Sequence, residues 1–384
     1  MVSLLQKRMG SVYLDSREPT GMGLSGGLDS RLLLGMLLQD KRDLKAATFF
    51  GDGQAGDLHG ARGIAQRTGI SHRELLLNKK SFLEAVPEIT RSNNGVLASA
   101  SYLFRELGRE LSGVCRQSVF ITSAEILFGS RLKQIALLKS AKDFGSYLKT
   151  VEPNIPMPFL KSCLNDRISA DYEEIENADL LTELFRDVDF DPITFHISWD
   201  LFQRQRGFIF SNVTASLSRW IDVFEPHFAS EPLNLLISIP NKQRIGRAVE
   251  RNLIAELYPQ LAAVPESADG LPISNKIFWR LLRSILLRTG QGVMNRIPQI
   301  MPFEGPYHFF QYGWQDPEML LRLKQIAGEA NLFEAGILRD PDQLDDLCRQ
   351  TGQKDETGLS ASMLLYGLYT LAGVIEGWGL SLED

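Results

Sequence analysis

The sequence predicts an α/β fold: a parallel sheet with flanking helices, followed by a mostly helical half. Three observations predict it. An apolar stretch ending at Leu24 turns through Ser25-Gly26-Gly27 into a strongly apolar helical run that starts near Leu28. Strand-like segments then alternate with segments of helix length, which argues for right-handed crossovers and parallel pairing. Beyond about residue 135 the strand pattern gives way to segments of helical period.

Residues 2–9 have helical spacing, and Pro19 breaks the chain before the strand that leads into the loop. The next helix runs to about Gln39. Leu44–Phe50 reads as a strand, Gly56–Arg67 as a helix with a small-residue face, and Ser71–Leu77 as a third strand. A helical pair is expected over about 80–113, then a short strand at Ser118–Thr122. In such a sheet ligands bind beyond the carboxyl ends of the strands, so the loops after Leu24, Phe50, Leu77 and Thr122 should converge on one crevice. Further on, helices are expected at 180–185, 198–206, 233–239, 247–257, 278–287, 318–327 and 361–375. The charged stretch 353–356 reads as a solvated loop. No repeat, low-complexity tract or Gly/Ser linker interrupts the chain, so residues 1–135 and 136–384 are expected to be the α/β and helical parts of one domain.

Composition narrows the function. With 41 Lys and Arg against 47 Asp and Glu, the balance gives no support to a nucleic-acid or membrane-surface partner. Three widely spaced cysteines, Cys115, Cys163 and Cys348, suggest neither a disulfide framework nor a zinc cluster and fit a reducing cytoplasm. The N-terminus has no charged head followed by a long apolar run, and no apolar stretch reaches the roughly 18 residues of a membrane span. The five histidines are scattered without metal-site spacing and read as structural or surface residues.

The loop suits an oxyanion. Gly26 and Gly27 permit a tight bend and close backbone approach, and the helix behind them contributes unpaired N–H groups and the positive end of its dipole. Ser25 and Ser30 add hydroxyls. Asp29 would repel a bare phosphate, so its presence makes sense if Mg2+ lies between carboxylate and phosphate oxygens. No Gly-Lys-Ser/Thr ending makes this a Walker-type loop. A glycine-rich turn without a ligand is the plain alternative.

The pattern Ser25-Gly26-Gly27-Leu28-Asp29-Ser30, preceded by Leu24, resembles the pyrophosphate loop of the ATP pyrophosphatases, and looks most like the asparagine synthetase branch. These enzymes split ATP between its α and β phosphates to adenylate a substrate. The resemblance implies ATP and Mg2+ as cofactors, with Leu24, Ser25, Gly26, Gly27, Asp29 and Ser30 around the phosphates. It makes Thr48 to Gly51, including Phe49, Phe50 and Gly51, candidate contacts to adenine and ribose. Asp57 would lie nearby, or simply cap its helix.

Phe120-Ile121-Thr122-Ser123-Ala124-Glu125-Ile126-Leu127-Phe128-Gly129 resembles the family's Gly-Glu-Gly-Ser-Asp-Glu-Val-Phe-Gly-Gly segment. This places Glu125 at the metal-binding aspartate, so that Asp29 and Glu125 are the expected catalytic and metal-ligating pair. Thr122 stands where the family commonly has a catalytic acid, and Ser123 replaces a glycine; both are carried as nucleotide contacts. A surface glutamate at a helix start is the plain alternative for Glu125.

Residues 224–228 look like the family's Glu-X-Arg-X-Pro-Phe-Leu-Asp region, with Ala229 where the final acid would stand. Residues 258–272 resemble the place that carries a catalytic lysine, and no lysine stands there. Lys276, Lys242 and Arg244 are the nearest cations, each more typical of a solvated charge than a catalyst. Leu332-Phe333 and Glu376-Gly377-Trp378 resemble the closing helices.

The function implied is an ATP-dependent amide-forming ligase that adenylates a carboxylate, aspartate or a related acid, with pyrophosphate release and then nitrogen transfer. The loop is reached within the first 30 residues, so no glutaminase site is expected in this sequence. Nitrogen is expected as ammonia, as an amine, or from a separate glutaminase. Two alternatives stand: a related ligase that forms a β-lactam or cyclises a peptide, and an ATP-binding subunit that has lost turnover.

Overall fold

The computed structural model describes residue 3 and residues 17–51, 56–92, 98–122, 127–129, 212–267, 270–273, 317–330, 332–333, 342–351, 365 and 368. Five strands among them form one parallel sheet: β1 (Thr20–Gly23), β2 (Leu44–Phe50), β3 (Ser71–Leu76), β4 (Gln117–Val119) and β5 (Asp222–Phe224). Their order is β3-β2-β1-β4-β5. The chain builds outward from β1 to β3, then crosses back to place β4 on the other side of β1. The sheet's topological switch point therefore lies between β1 and β4.

The pairing register is Met22 with Ala46, Gly21 with Ser118, and Val119 with Phe224. The central strand is buried, with Met22 fully enclosed, whereas edge strand β3 exposes four of its six residues. Crossover helices account for the parallel pairing. Helix α1 (Leu28–Gln39) is apolar on several faces and buries Leu32, Leu33, Leu34, Met36 and Leu37, as a helix enclosed on more than one side must. At its middle, Gly35 admits the ring of Tyr258: a Cβ there would lie 2.4 Å from the ring. Helix α2 (Gly56–Thr68) buries Leu58, Ala61, Ile64 and Ala65, one face of a 3.6-residue period.

Two helices, α3 (Lys79–Ser92) and α4 (Ala98–Ser112), fill the expected helical pair. Strand β4 is shorter than expected and one residue earlier, and Phe120–Thr122 continue beyond its end as loop. Strand β5 adds one short strand to the mostly helical second half. After it come α5 (Ser230–Ser238), which begins three residues before the expected start, and α6 (Ala248–Leu257), for which Arg247 is the N-cap. Helices α7 (Pro317–Glu329) and α8 (Asp342–Thr351) are joined by Lys324 Nζ donating to Asp345 at 2.7 Å; α8 was not expected. The expected helices at 180–185, 198–206 and 278–287 lie outside the described residues, as does the stretch 353–356. Of 361–375 only the helical, buried Leu365 and Leu368 are described.

The chain forms two compact units. One comprises residues 1–77, 104–132 and 217–307 and contains the sheet; the other comprises 78–103, 133–216 and 308–384. In the second unit Phe82 packs edge-on to Tyr102 with centroids 5.2 Å apart, and buried Ser101 donates to Asn212 at 2.6 Å. Among the described residues no helix is long and apolar enough to cross a membrane.

Candidate functional site

The turn between β1 and α1 is held by its two serines. The Ser25 N–H donates to Ser30 Oγ (3.2 Å), Ser30 Oγ donates to the Ser25 carbonyl (3.0 Å), and the Gly27 N–H donates to Ser25 Oγ (3.1 Å). Gly27 is the N-cap of α1 and offers no side-chain cap. An amide-lined helix start with two hydroxyls at its mouth has the chemistry to receive anionic oxygens.

The turn is pinned from behind at Gly26. Gly60 of α2 packs directly on it: a Cβ on Gly60 would stand 2.4 Å from the Gly26 Cα. The Gly26 carbonyl accepts from the Ser267 N–H (3.1 Å) and from Arg31 Nη2 (2.9 Å). Arg31 is fully buried and also donates to the carbonyls of Leu261 (3.0 Å), Val264 and Pro265. The planar guanidinium fork reaches all four acceptors at once. Residues 261–267, where the resemblance locates a lysine, are thereby strapped to the back of the loop.

Asp29 lies in the first turn of α1 and accepts from Arg247 Nη2 at 2.5 Å. Arg247 also donates through Nε to Glu250 at 2.6 Å, and Glu250 is fully buried. One guanidinium thus serves two carboxylates. Burial raises Glu250 to about 8, opposed by Arg247 and reinforced by the negative charge of Asp29. Burial also disfavours the Arg247 cation, but the two carboxylates outweigh it and hold the guanidinium above its usual range. Arg247 and Gly246 both adopt left-handed backbone, with φ of 60° and 67°.

On the other side of β1, Thr48 Oγ1 donates to the Leu24 carbonyl and lies 2.8 Å from His72 Nε2, so this hydroxyl braces the loop's entrance. Burial lowers the His72 imidazole, with Glu74 opposing. Phe49 packs edge-on to Phe104 at 5.7 Å, and Phe49, Phe50 and Gly51 are half-buried at the carboxyl end of β2. Asp57 stands in the first turn of α2.

At the carboxyl ends of β4 and β5, Thr122 Oγ1 donates to Glu225 Oε2, and His227 Nε2 lies 3.8 Å from that same oxygen. His227 is 1% exposed and neither ring nitrogen reaches hydrogen-bond geometry. Burial lowers it to about 4, with the Thr122 backbone near enough to oppose that slightly. Ser123 and Glu125 lie outside the described residues, as do Lys276 and the side chain of Lys242. Arg244 corrects its reading as a solvated charge: it is 3% exposed and donates to the Leu127 carbonyl at 3.3 Å and to Asn241. Burial lowers its pKa from the ordinary value.

The structure therefore brings Leu24, Ser25, Gly26, Gly27, Asp29, Ser30 and Thr48 together around one turn. Sequence reasoning missed Arg247, Glu250, Arg31 and Glu225 as parts of this neighbourhood. The signal for the first two is slight, since Arg247 and Glu250 have the i,i+3 spacing of an ordinary surface pair. Among the described residues no three His, Cys, Asp or Glu side chains form a metal-holding group. A Mg2+ ion held mainly by phosphate oxygens and water needs only one or two carboxylates, and Asp29 at the mouth of the turn fits that need.

Residues 9–112, a little over a quarter of the chain, match the family model for asparagine synthase. The match covers β1, the turn, α1, β2, α2, β3, α3 and α4. No curated protein matches the chain.

Proposed function

We propose, proceeding from the asparagine synthase match over residues 9–112, that the chain is an ATP-dependent amide-forming ligase that adenylates a carboxylate and then transfers nitrogen to it. The single observation that carries this reading is the turn at Gly26-Gly27, with two hydroxyls, an uncapped helix start and Asp29 at its mouth. It stands beside the switch point of a parallel sheet, where such folds bind nucleotides.

In this reading Ser25, Ser30 and the first-turn amides of α1 hold the ATP phosphates, and Phe49 to Gly51 flank the nucleoside. Asp29, with Glu125 by resemblance, would hold Mg2+ against the phosphate oxygens. Bound there, the ion neutralises charge on the departing pyrophosphate. The acceptor carboxylate attacks the α phosphate in line, and the protein contributes chiefly position and charge. Arg247, which donates to both Asp29 and Glu250, would position the Asp29 carboxylate at the mouth of the turn. The mixed anhydride is then opened by ammonia, by an amine, or by nitrogen from a separate glutaminase.

The test is Mg2+-dependent pyrophosphate release from ATP, with aspartate plus ammonia beside a panel of other carboxylates and amines. Release with one acid and the matching amide as product supports the ligase and names its acceptor. Bound ATP with no pyrophosphate across the panel overturns turnover and leaves an ATP-binding subunit.

A further inference from the structure

Strand β2 carries one hydroxyl, that of Thr48, and it stands where the sheet begins to open. β1 pairs with β2 as far as Gly23 opposite Ala47, whereas Thr48, Phe49 and Phe50 pair with β3 alone. Parallel ladders have evenly spaced rungs. The Leu24 N–H donates to the Ala47 carbonyl at 2.9 Å, so the next rung would run from the Phe49 N–H to the Leu24 carbonyl. That rung is not made. Thr48 Oγ1 donates to the Leu24 carbonyl in its place, and the Phe49 N–H has no backbone partner among the described residues.

The side-chain donor that replaces the backbone one is itself held. Thr48 is 4% exposed, and His72 Nε2 lies 2.8 Å from its hydroxyl. A threonine hydroxyl has one proton, and the Leu24 carbonyl receives it, so His72 donates from Nε2 to a lone pair of the same oxygen. The chain of donors runs from His72 to Thr48 to Leu24.

An amide N–H that the ladder does not use is a donor for something else. Phe49 is half-buried near the carboxyl end of β2, beside the departure of β1 into the turn and at the end of the sheet where such folds bind nucleotides. The phosphate turn does not need this arrangement for its own shape. It is closed by the Ser25 and Ser30 bonds and clamped at Gly26 by Arg31 and Ser267. Loss of the Thr48 hydroxyl is therefore separable from loss of the turn.

We propose that Thr48 and His72 are positioning residues for the nucleoside: together they capture the Leu24 carbonyl and so keep the Phe49 N–H open to an acceptor atom of the bound nucleoside. This rests on the nucleotide site of the ligase reading. Without the hydroxyl, the Leu24 carbonyl takes the Phe49 N–H, β1 and β2 zip together by one more rung, and the donor is consumed by the fold.

The experiment measures, by calorimetry with Mg2+ present, the affinity of wild type and four variants for ATP and for inorganic tripolyphosphate, which is the phosphate chain without the nucleoside. Thr48→Val removes the hydroxyl at nearly constant shape. It is expected to weaken ATP by about 10-fold, the worth of one hydrogen bond, and to leave tripolyphosphate nearly unchanged. Thr48→Ser restores the donor and recovers most of the ATP affinity. His72→Leu gives part of the Thr48→Val loss, and His72→Gln, whose amide can still donate, gives less of it. Circular dichroism checks that each variant is folded; should Thr48→Val fail that check, the two His72 variants decide the matter by the same comparison. Equal weakening of ATP and tripolyphosphate, ATP affinity unchanged in Thr48→Val, or no recovery in Thr48→Ser overturns the proposal alone. Wild type that binds no ATP overturns the nucleotide site of the ligase reading and this proposal with it.

Discussion

Arg247 Nη2 lies 2.5 Å from Asp29 Oδ1, joining the N-cap of α6 to the first turn of α1 across 218 residues of sequence. The same guanidinium holds the fully buried Glu250. Arg247→Met takes a hydrogen-bond donor from the buried Glu250 carboxyl, which is largely protonated near neutral pH, and leaving a buried acceptor unsatisfied costs about 1–3 kcal/mol. Denaturant unfolding near neutral pH is expected to show a midpoint lowered accordingly. An unchanged midpoint would mean that Glu250 finds another partner.

Asp29→Asn has the opposite profile. Asp29 is about one-third exposed at its side chain and is the surplus carboxylate of the cluster, so its loss relieves repulsion on Glu250. The variant should fold as well as wild type and release no pyrophosphate. Wild-type turnover in the folded variant would sink the assignment of Asp29 as the phosphate-side carboxylate.

The raised Glu250 makes stability fall towards alkali. In the unfolded chain this group loses its proton near 4.5, in the folded chain near 8, so the folded state holds the extra proton between those values. Its stabilisation is complete below about pH 4.5 and is lost as pH rises through about 8. Melting temperature should therefore decline on this limb, and Glu250→Gln should flatten it.

His227 acts on the other limb. Its folded pKa of about 4 lies below the ordinary 6.5, so the unfolded chain binds the extra proton between them. The stabilisation is present above about 6.5 and lost as pH falls towards 4. His227→Met should lessen the loss of melting temperature between about pH 6.5 and 5. His72, lowered in the same direction, keeps part of the slope. A slope identical to wild type would show that the folded ring protonates normally.

Gly60→Ala tests the brace behind the turn. Its Cβ would stand 2.4 Å from the Gly26 Cα, where backbone meets backbone and no side chain can swing away. Overpacking of this kind costs about 1–3 kcal/mol. Because the turn must shift, ATP affinity measured by calorimetry should fall along with stability. A stability loss with unchanged ATP affinity would uncouple the brace from the site.

Much of the architecture was legible because it is written locally. The turn announces itself by Ser25-Gly26-Gly27 before an apolar helix, and β2 and β3 carry strand residues between crossover segments. Strand β5 was not legible: Asp222–Phe224 is three residues long, and only pairing with β4 makes it a strand. Arg244 read as a solvated charge because nothing in Asn241–Arg244 tells that the side chain turns inward. Glu225 was equally hidden, since its partner Thr122 is 103 residues away. Local pattern reports which residues bend or repeat, and tertiary burial decides which charges matter.

Arg31 has a consequence for how the protein comes to be built. Three of its four acceptors, at Leu261, Val264 and Pro265, lie more than 200 residues further along the chain. Contacts of that separation close late, because the loop entropy is spent before the contact rewards it. The Ser25–Ser30 turn can form early, but Gly26 is clamped only after residues 261–267 arrive. The segment 9–112 that carries the family match is therefore not self-sufficient: cut away from β4, β5 and that strap, it would retain the sequence of the turn without its rigidity.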